Sequence, residues 1–150
     1  MTIATHGAPA TVRRQLVQSA AAVVVGFVSV AALSLVTDQL LHVLQVYPPW
    51  GEPMYDTRLN LLALFYRVLY TIFGGYLTAS LAPHSPMRHV IVVGILGLIA
   101  GSGGALAAIT MADLGPNWYP IALAVTAFPC VWLGGVLHGV RQVKKSDAYE

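Results

Sequence analysis

The chain has 150 residues, of which 57% are apolar and only 9% are charged. Soluble domains usually carry about 25% charged residues because their surfaces need hydration, so this composition excludes water as the main solvent and indicates lipid. The formal net charge of +2 is too small to favour nucleic-acid binding, and the single cysteine excludes an internal disulfide and a thiol-pair redox mechanism.

The chain contains four apolar segments, each with at least the roughly 20 helical residues needed to cross a hydrocarbon core. The predicted spans are residues 14–46, 59–81, 89–111 and 120–140. Connections rich in proline and glycine separate them. The sequence therefore predicts an all-α, polytopic membrane four-helix bundle in one transmembrane domain, 1–150. Residues 1–12 and 142–150 are expected to be disordered cytoplasmic tails.

The first predicted helix extends beyond the bilayer on its outer side. No helix breaker precedes Pro48, so the helical pattern continues to Val46. Asp38, His42 and Gln45 recur at spacings of four and three residues and share one helix face. That face belongs either to an amphipathic end in the outer interface or to a tilted helix that turns it inward. Arginines before the segment also fit a signal peptide, but the apolar stretch is too long for one.

The basic residues indicate the orientation of the four spans. Under alternating topology, six of the eight fall on one side: Arg13, Arg14, Arg88, Arg141, Lys144 and Lys145. Because positively charged flanks stay in the cytoplasm, both termini are predicted to be cytoplasmic. The opposite side carries aromatic residues that fit an interfacial belt. They are Tyr47, Trp50, Tyr55, Trp118 and Tyr119.

An acid and a base fall at similar depth in the first hairpin. Asp38 lies eight residues before the predicted end of the first helix, and Arg67 lies eight residues after the start of the second. Both are thus about 12 Å below the outer helix ends. An unpaired arginine at a helix centre costs about 2.5–3.5 kcal/mol, which favours a contact with Asp38. The alternatives are snorkelling of Arg67 to the headgroups and binding of an anionic ligand. Tyr66 and Tyr70 flank Arg67 and can hydrogen-bond to either charge.

Small residues form packing faces in the last three segments. These residues are Gly74, Gly75, Gly97, Gly101, Ala105, Gly134 and Gly135. In lipid, such faces let helix backbones approach closely, either within one chain or between chains. The Gly-Gly pairs of the second and fourth segments lie sixty residues apart, which fits a duplicated hairpin. Among fourteen glycines, coincidence is the simpler explanation.

The sequence contains no recognised catalytic or metal-binding motif. Asp38 is the one acid expected to lie away from water, so a paired-carboxylate mechanism lacks its second member. His42 and His138 fall near opposite membrane faces, too far apart to share a haem. His84, His89 and His138 match no metal-ligand spacing. We therefore expect no enzymatic activity, no metal and no cofactor.

From residue 66 onward the chain contains six characteristic phrases. They are Tyr66-Arg67-x-x-Tyr70, Gly74-Gly75-Tyr76-Leu77-x-Ala79, Leu81-Ala82-Pro83, Pro86-Met87-x-His89, Trp118-Tyr119-Pro120 and Pro129-Cys130-x-Trp132-Leu133-Gly134-Gly135. Together they resemble small bacterial four-span membrane proteins of unknown function. The resemblance covers roughly the last two-thirds of the chain. It implies a location in a bacterial inner membrane, and it does not imply any activity for this chain.

Two functions stay open at this point. The first is a non-enzymatic scaffold, accessory subunit or homo-oligomeric component of the inner membrane, surrounded by lipid and without a nucleic-acid partner. The second is a small transporter or channel for an ion or small molecule that uses Asp38, His42 and Arg67. A conducting path needs polar groups at successive depths, and the inner half offers little beyond serine and threonine hydroxyls. That scarcity favours the scaffold.

Overall fold

The computed structural model describes residues 8–111 and 114–148, and the regular structure of these residues is entirely helical. The helices are α1 (Ala8–Val43), α2 (Thr57–Leu81), α3 (Pro86–Met111) and α4 (Trp118–Asp147). Each of them is long and apolar enough to cross a membrane. The predicted fold class, an all-α four-helix bundle of membrane type, is confirmed.

The second helix organises the bundle. α2 packs against all three other helices, most extensively against α4 and α1, and α4 also packs along α3. α1 meets α3 over a smaller area, and within the described residues α1 and α4 have no contact. α1 is therefore held mainly by α2, and α1 and α4 lie at opposite corners of the bundle with α2 and α3 between them.

The two ends of the bundle differ in chemistry. At the end that we call the tyrosine end, α1 finishes, α2 and α4 begin, and Tyr47, Tyr66 and Tyr119 gather. At the opposite end, which we call the basic end, α2 and α4 finish and α3 begins. It carries the six basic side chains that the sequence places on one side: Arg13, Arg14, Arg88, Arg141, Lys144 and Lys145.

Glycines close the half of the bundle nearer the basic end. A Cβ atom added at Gly75 would collide with the backbone carbonyl of Val131, and one added at Gly134 would collide with the carbonyl of Ile72. Backbone atoms of a packed helix cannot move aside as a flexible side chain can. α2 and α4 therefore approach at a separation that only glycine permits.

The neighbouring glycines pack against the other two helices. Gly74 faces α1, where an added Cβ would lie 3.0 Å from the carbonyl of Gly26, and Gly135 faces α3, 2.9 Å from Val90. α1 and α2 form one hairpin, and α3 and α4 form the other. The glycine that faces the hairpin partner is the first of the pair in α2, Gly74, but the second of the pair in α4, Gly135. The two pairs thus lack the position-by-position equivalence expected of a duplicated hairpin.

The small-residue face of α3 packs within the chain. An added Cβ at Gly101 would lie 3.2 Å from the Cα atom of Ala124 in α4, and one at Gly97 would lie 3.9 Å from the Cβ of Ala127. Ala105 is buried on the same face. Of the two alternatives left open by the sequence, intramolecular packing applies to these positions.

The first helix ends at Val43, three residues before the predicted end at Val46. Gln45 has a positive φ of 57°, a left-handed conformation that stops the helix, and the amide of Val46 donates to the carbonyl of Leu41 at 3.0 Å. The chain then turns back, so that Tyr47 is buried rather than part of an interfacial belt. The turn therefore redirects this tyrosine towards the bundle.

All four helices begin before their predicted starts, whereas α2 and α3 end at the predicted Leu81 and Met111 and α4 continues to Asp147. α2, α3 and α4 begin two or three residues early, and the Asp56 side chain caps α2 by accepting from the amide of Arg58 at 2.7 Å. The predicted disordered tails are helical over 8–12 and 142–147, whereas 1–7 and 149–150 lie outside the described residues. A proline is tolerated in the first turn of α1, and lysines in the last turn of α4 suit its dipole.

Candidate functional site

The site is built around an ion pair between α1 and α2. Nη2 of Arg67 donates to Oδ2 of Asp38 at 2.5 Å. The Asp38 residue is 6% exposed, and the Arg67 side chain is 25% exposed. The predicted contact is therefore confirmed. The guanidinium leans towards the N-terminal end of α2, as helical side chains do, but it finds protein partners there.

Tyr66 satisfies the second oxygen of the carboxylate. Its hydroxyl donates to Oδ1 of Asp38, and the ring is 7% exposed. The Tyr47 hydroxyl lies 3.4 Å from the Tyr66 hydroxyl and donates to the carbonyl of Leu59 at 3.4 Å. Both carboxylate oxygens thus accept hydrogen bonds, one of them from a cation.

The buried phenol of Tyr47 lies in the connection between α1 and α2. Burial raises the pKa of this hydroxyl above the ordinary tyrosine value. Tyr47 is therefore a neutral donor at physiological pH. The sequence assigns it to an interfacial belt. The two prolines that follow it show only that the helix cannot continue there.

The fourth helix supplies a further partner for the guanidinium. Nη1 of Arg67 donates to the hydroxyl of Tyr119, and the guanidinium carbon lies 5.8 Å from the centre of that ring and 5.6 Å from the ring of Tyr66. These contacts are within the range of cation–π attraction. Arg67 consequently links α1 to α4, two helices that do not otherwise meet in the described part of the chain.

Sequence reasoning missed the role of Tyr119. Its position directly after Trp118 at a helix start is typical of an interfacial aromatic, and nothing in the spacing joins it to a residue 52 positions earlier. The packing of α2 against α4 determines this contact. A sequence pattern that is local to one helix does not contain that information.

Two predicted site residues are engaged beside the cluster. The hydroxyl of Tyr70 lies 2.9 Å from the hydroxyl of Thr37 on α1. Nδ1 of His42 lies 2.6 Å from the carbonyl oxygen of Pro48, and its ring centre is 4.0 Å from that of Trp50. His42 therefore organises the turn after α1, and Tyr70 adds a second polar link between α1 and α2.

A buried amide fixes the connections at the tyrosine end. Asn60 is 2% exposed, and its Nδ2 donates to the carbonyls of Met54 and Asp56, each at 2.9 Å. The amide of Met54 in turn donates to the carbonyl of Leu114 at 2.7 Å. The connection before α2 is thereby joined to the one before α4. The role of Asn60 is not predictable from the sequence, because one asparagine near a helix start carries no specific signal.

Three cavities adjoin Arg67. The α3 cavity, of about 430 Å³, has the small-residue face of α3 as one wall. The α1 cavity, of about 210 Å³, lies between all four helices, and the loop cavity, of about 300 Å³, lies beneath the 44–56 connection. Asp38 and His42 line the loop cavity, whereas the lining of the other two contains no acid. Arg67 is the residue shared by all three.

The chemistry available at this site is hydrogen-bond donation and charge pairing. Two hydrogen bonds occupy only part of the donor set of a guanidinium, so Arg67 can also donate to a ligand oxygen. Within the described residues, no three side chains of the types His, Cys, Asp and Glu converge on one point. The glycine positions on α2 and α4 act in packing, below the site and towards the basic end.

Comparison with protein-family models, with curated proteins and with solved structures found no match to this chain.

Proposed function

We propose that this protein is a non-enzymatic component of a bacterial inner membrane, a scaffold or accessory subunit that associates with another membrane chain or with further copies of itself. Its surroundings are lipid, and nucleic acid is not a partner. Both termini are cytoplasmic, because the basic end carries six of the eight Lys and Arg residues. The resemblance to small bacterial four-span proteins supports the choice of membrane.

The observation that carries the proposal is a gap between two polar regions of the bundle. The hydrogen-bonded cluster at the tyrosine end reaches inward as far as Arg67 and Thr71, whose hydroxyl donates to the carbonyl of Arg67 at 2.7 Å. The second region lies at the basic end, around the buried His138. Between them the buried hydroxyl of Thr78 donates to its own helix at Gly74, and glycine contacts bring the helices together. A carrier or pore needs polar groups at successive depths, and this gap interrupts the series.

The packing of α1 favours association with another chain. Its buried positions follow one stripe, at Ala22, Gly26, Ser34 and Asp38, and that stripe faces the rest of the bundle. The remaining faces are apolar and outward, with Val28 and Leu35 more than half exposed. A helix attached along one stripe leaves most of its surface for lipid or for a partner helix.

Photo-cross-linking in native membranes tests the proposal. A photoreactive residue at Val28 or Leu35 should give a reproducible adduct with a second membrane protein or a second copy. The matched control is the same residue at Ala22, which is buried against the bundle and should give none. Absence of any adduct from both exposed positions would contradict the scaffold role.

A small transporter is the second candidate, and the three cavities around Arg67 favour it. Purified protein in liposomes should then show ion- or proton-driven flux that Asp38→Asn abolishes. We expect no such flux. Flux that depends on Asp38 would replace the scaffold by the transporter.

A further inference from the structure

Two of the three cavities at Arg67 adjoin each other. The α3 cavity and the α1 cavity share Arg67, Gly101 and Leu123 in their linings. The shared residues come from α2, α3 and α4, so the cavities meet near the centre of the bundle. Because of these shared residues we treat the two cavities as the arms of one chamber, which meet beside Arg67.

The two arms of the chamber have different linings. The α3 cavity carries Asn60, Asn117 and Tyr119 beside Arg67, and these side chains offer hydrogen bonds. The α1 cavity is lined mainly by apolar and small residues, such as Phe27 and Val131. One arm therefore suits a polar head and the other an apolar chain.

The sparse contact between α1 and α3 gives the apolar arm a route to the bilayer. These two helices meet over the smallest area of any contacting pair in the described residues, and both contribute to the lining of the α1 cavity. The chamber is thus placed to take up molecules that reside in the membrane. The α3 cavity also falls within the range of about 300–1,000 Å³ that is common for ligand sites.

Charge balance indicates the type of head. Asp38 already neutralises Arg67 at 2.5 Å, so an anionic head would add one uncompensated charge in a membrane-embedded site. An uncharged head that accepts hydrogen bonds adds none. A carbonyl oxygen meets this requirement, because it accepts from a guanidinium and a phenol without contributing charge.

We propose that the chamber binds a single-chain, uncharged amphiphile, with its carbonyl head beside Arg67 and Tyr119 in the α3 cavity and its chain in the α1 cavity. This assignment rests on the proposed function only in requiring a protein embedded in lipid and without a conducting path. It names a ligand class for a site that the scaffold role leaves unassigned.

The experiment uses two adjacent glycines of α3 that accept a side chain without collision. An added Cβ at Gly103 or at Gly104 meets no atom within 4 Å, but Gly104 lines the α3 cavity and Gly103 lines neither arm. Gly104→Leu should fill the cavity, and Gly103→Leu is its matched control. Ala108→Leu fills the same cavity from the next turn of α3 and gives a second blocked variant.

The probes are a long-chain methyl ketone and a fatty acid with the same diazirine-bearing chain. They are applied to full-length protein in liposomes at mildly alkaline pH, so that the acid is ionised. We expect the ketone to label the wild type and Gly103→Leu equally, with labelling at background in Gly104→Leu and Ala108→Leu. The acid should label all four proteins only at background.

Three outcomes would overturn the assignment. They are equal ketone labelling of all four proteins, no labelling of any of them, or stronger labelling by the acid than by the ketone. Each variant is first checked for an unchanged elution profile and thermal midpoint in detergent. Failure of this experiment leaves the α1 cross-linking result unaffected, so the two proposals fail separately.

Discussion

The two halves of the bundle are held together by different interactions. Near the basic end, glycine positions bring α2 against α1 and α4 with backbone in contact with backbone, and dispersion is the main attraction. Near the tyrosine end the helices are further apart, cavities lie between them, and Asp38, Tyr66, Arg67 and Tyr119 join three helices through charge and hydrogen bonds. The close-packed half supplies rigidity, and the polar half supplies chemistry.

The difference shows what each half tolerates. A close-packed glycine contact fails when any side chain is added, because the obstructing atoms are backbone. A polar cluster fails when one member is removed, because its partners are left unsatisfied in a low-dielectric site. Substitutions that add volume in one half and remove charge in the other therefore probe the comparison directly.

The largest expected effect is the collapse of packing in the glycine half. Gly134→Leu should abolish folding, because even a Cβ at this position collides with the carbonyl of Ile72. Overpacking of a core commonly costs about 1–3 kcal/mol, and a rigid backbone obstacle places this site above that range. The measurement is the yield of monodisperse protein by size-exclusion chromatography in mild detergent.

Gly139→Leu is the control for that experiment. It lies on the same helix, and an added Cβ there meets no atom within 4 Å. Its elution profile and thermal midpoint should match the wild type. If Gly134→Leu also yields normal protein, then α2 and α4 are not packed as the structure places them.

The second effect is the loss of charge balance in the polar half. Asp38→Ala leaves Arg67 without its anion, and we expect the free energy of unfolding to fall by about 2.5–3.5 kcal/mol, the cost of an unpaired arginine in a membrane. Removing both charges, as in Asp38→Ala with Arg67→Met, should cost less than the single change at Asp38. Unfolding by SDS titration in bicelles measures the wild type, the single variants Asp38→Ala and Arg67→Met, and the double variant.

The double variant decides whether the pair acts as a unit. If its loss equals the sum of the two single losses, the side chains do not interact in the folded protein. A charge exchange, Asp38→Arg with Arg67→Asp, should restore only part of the stability. The exchanged arginine no longer lies on α2, where it reaches Tyr119.

The sequence predicts the parts of this architecture that depend on one helix at a time. Hydropathy locates four spans, and counting residues from the first outer turn places Asp38 and Arg67 at one depth. Both inferences use only the rise of a helix and the thickness of a bilayer. The assignment of Gly101 and Ala105 to a packing face is of the same kind.

The missed features depend on how helices lie relative to one another. The hydroxyl of Tyr119 reaches Arg67 because α2 packs against α4, and Tyr47 is buried because Gln45 turns the chain back at a left-handed residue. Glutamine carries no particular preference for that conformation, so the helix end at Val43 has no local signal. Tertiary packing determines these positions.

The third effect is a loss of stability that differs between the tyrosines of the polar half. Tyr66→Phe should lower the free energy of unfolding by about 1.5–3 kcal/mol, because it removes a hydrogen bond to the buried carboxylate of Asp38. Tyr119→Phe should cost less, since the Arg67 side chain is one-quarter exposed. Tyr70→Phe breaks only a neutral bond to Thr37, worth about 0.5–1.5 kcal/mol. The same SDS titration gives the order, and a larger loss for Tyr70→Phe than for Tyr66→Phe would contradict the cluster.

The smallest effect is a pH dependence that comes from Tyr47. Burial raises the pKa of this phenol in the folded state, so the folded protein retains a proton that the unfolded chain loses as the pH rises past the ordinary tyrosine pKa of about 10. The contribution of the Tyr47 phenol to stability is complete below the unfolded-state pKa and is lost as the pH rises through the folded-state pKa. Tyr47→Phe removes the titration, so its unfolding free energy should fall less steeply above pH 10 than that of the wild type. The comparison is made by SDS titration across the alkaline range. Identical slopes for the wild type and Tyr47→Phe would mean that Tyr47 is not buried in the polar half. The turn at Gln45 would then not place this side chain as described above.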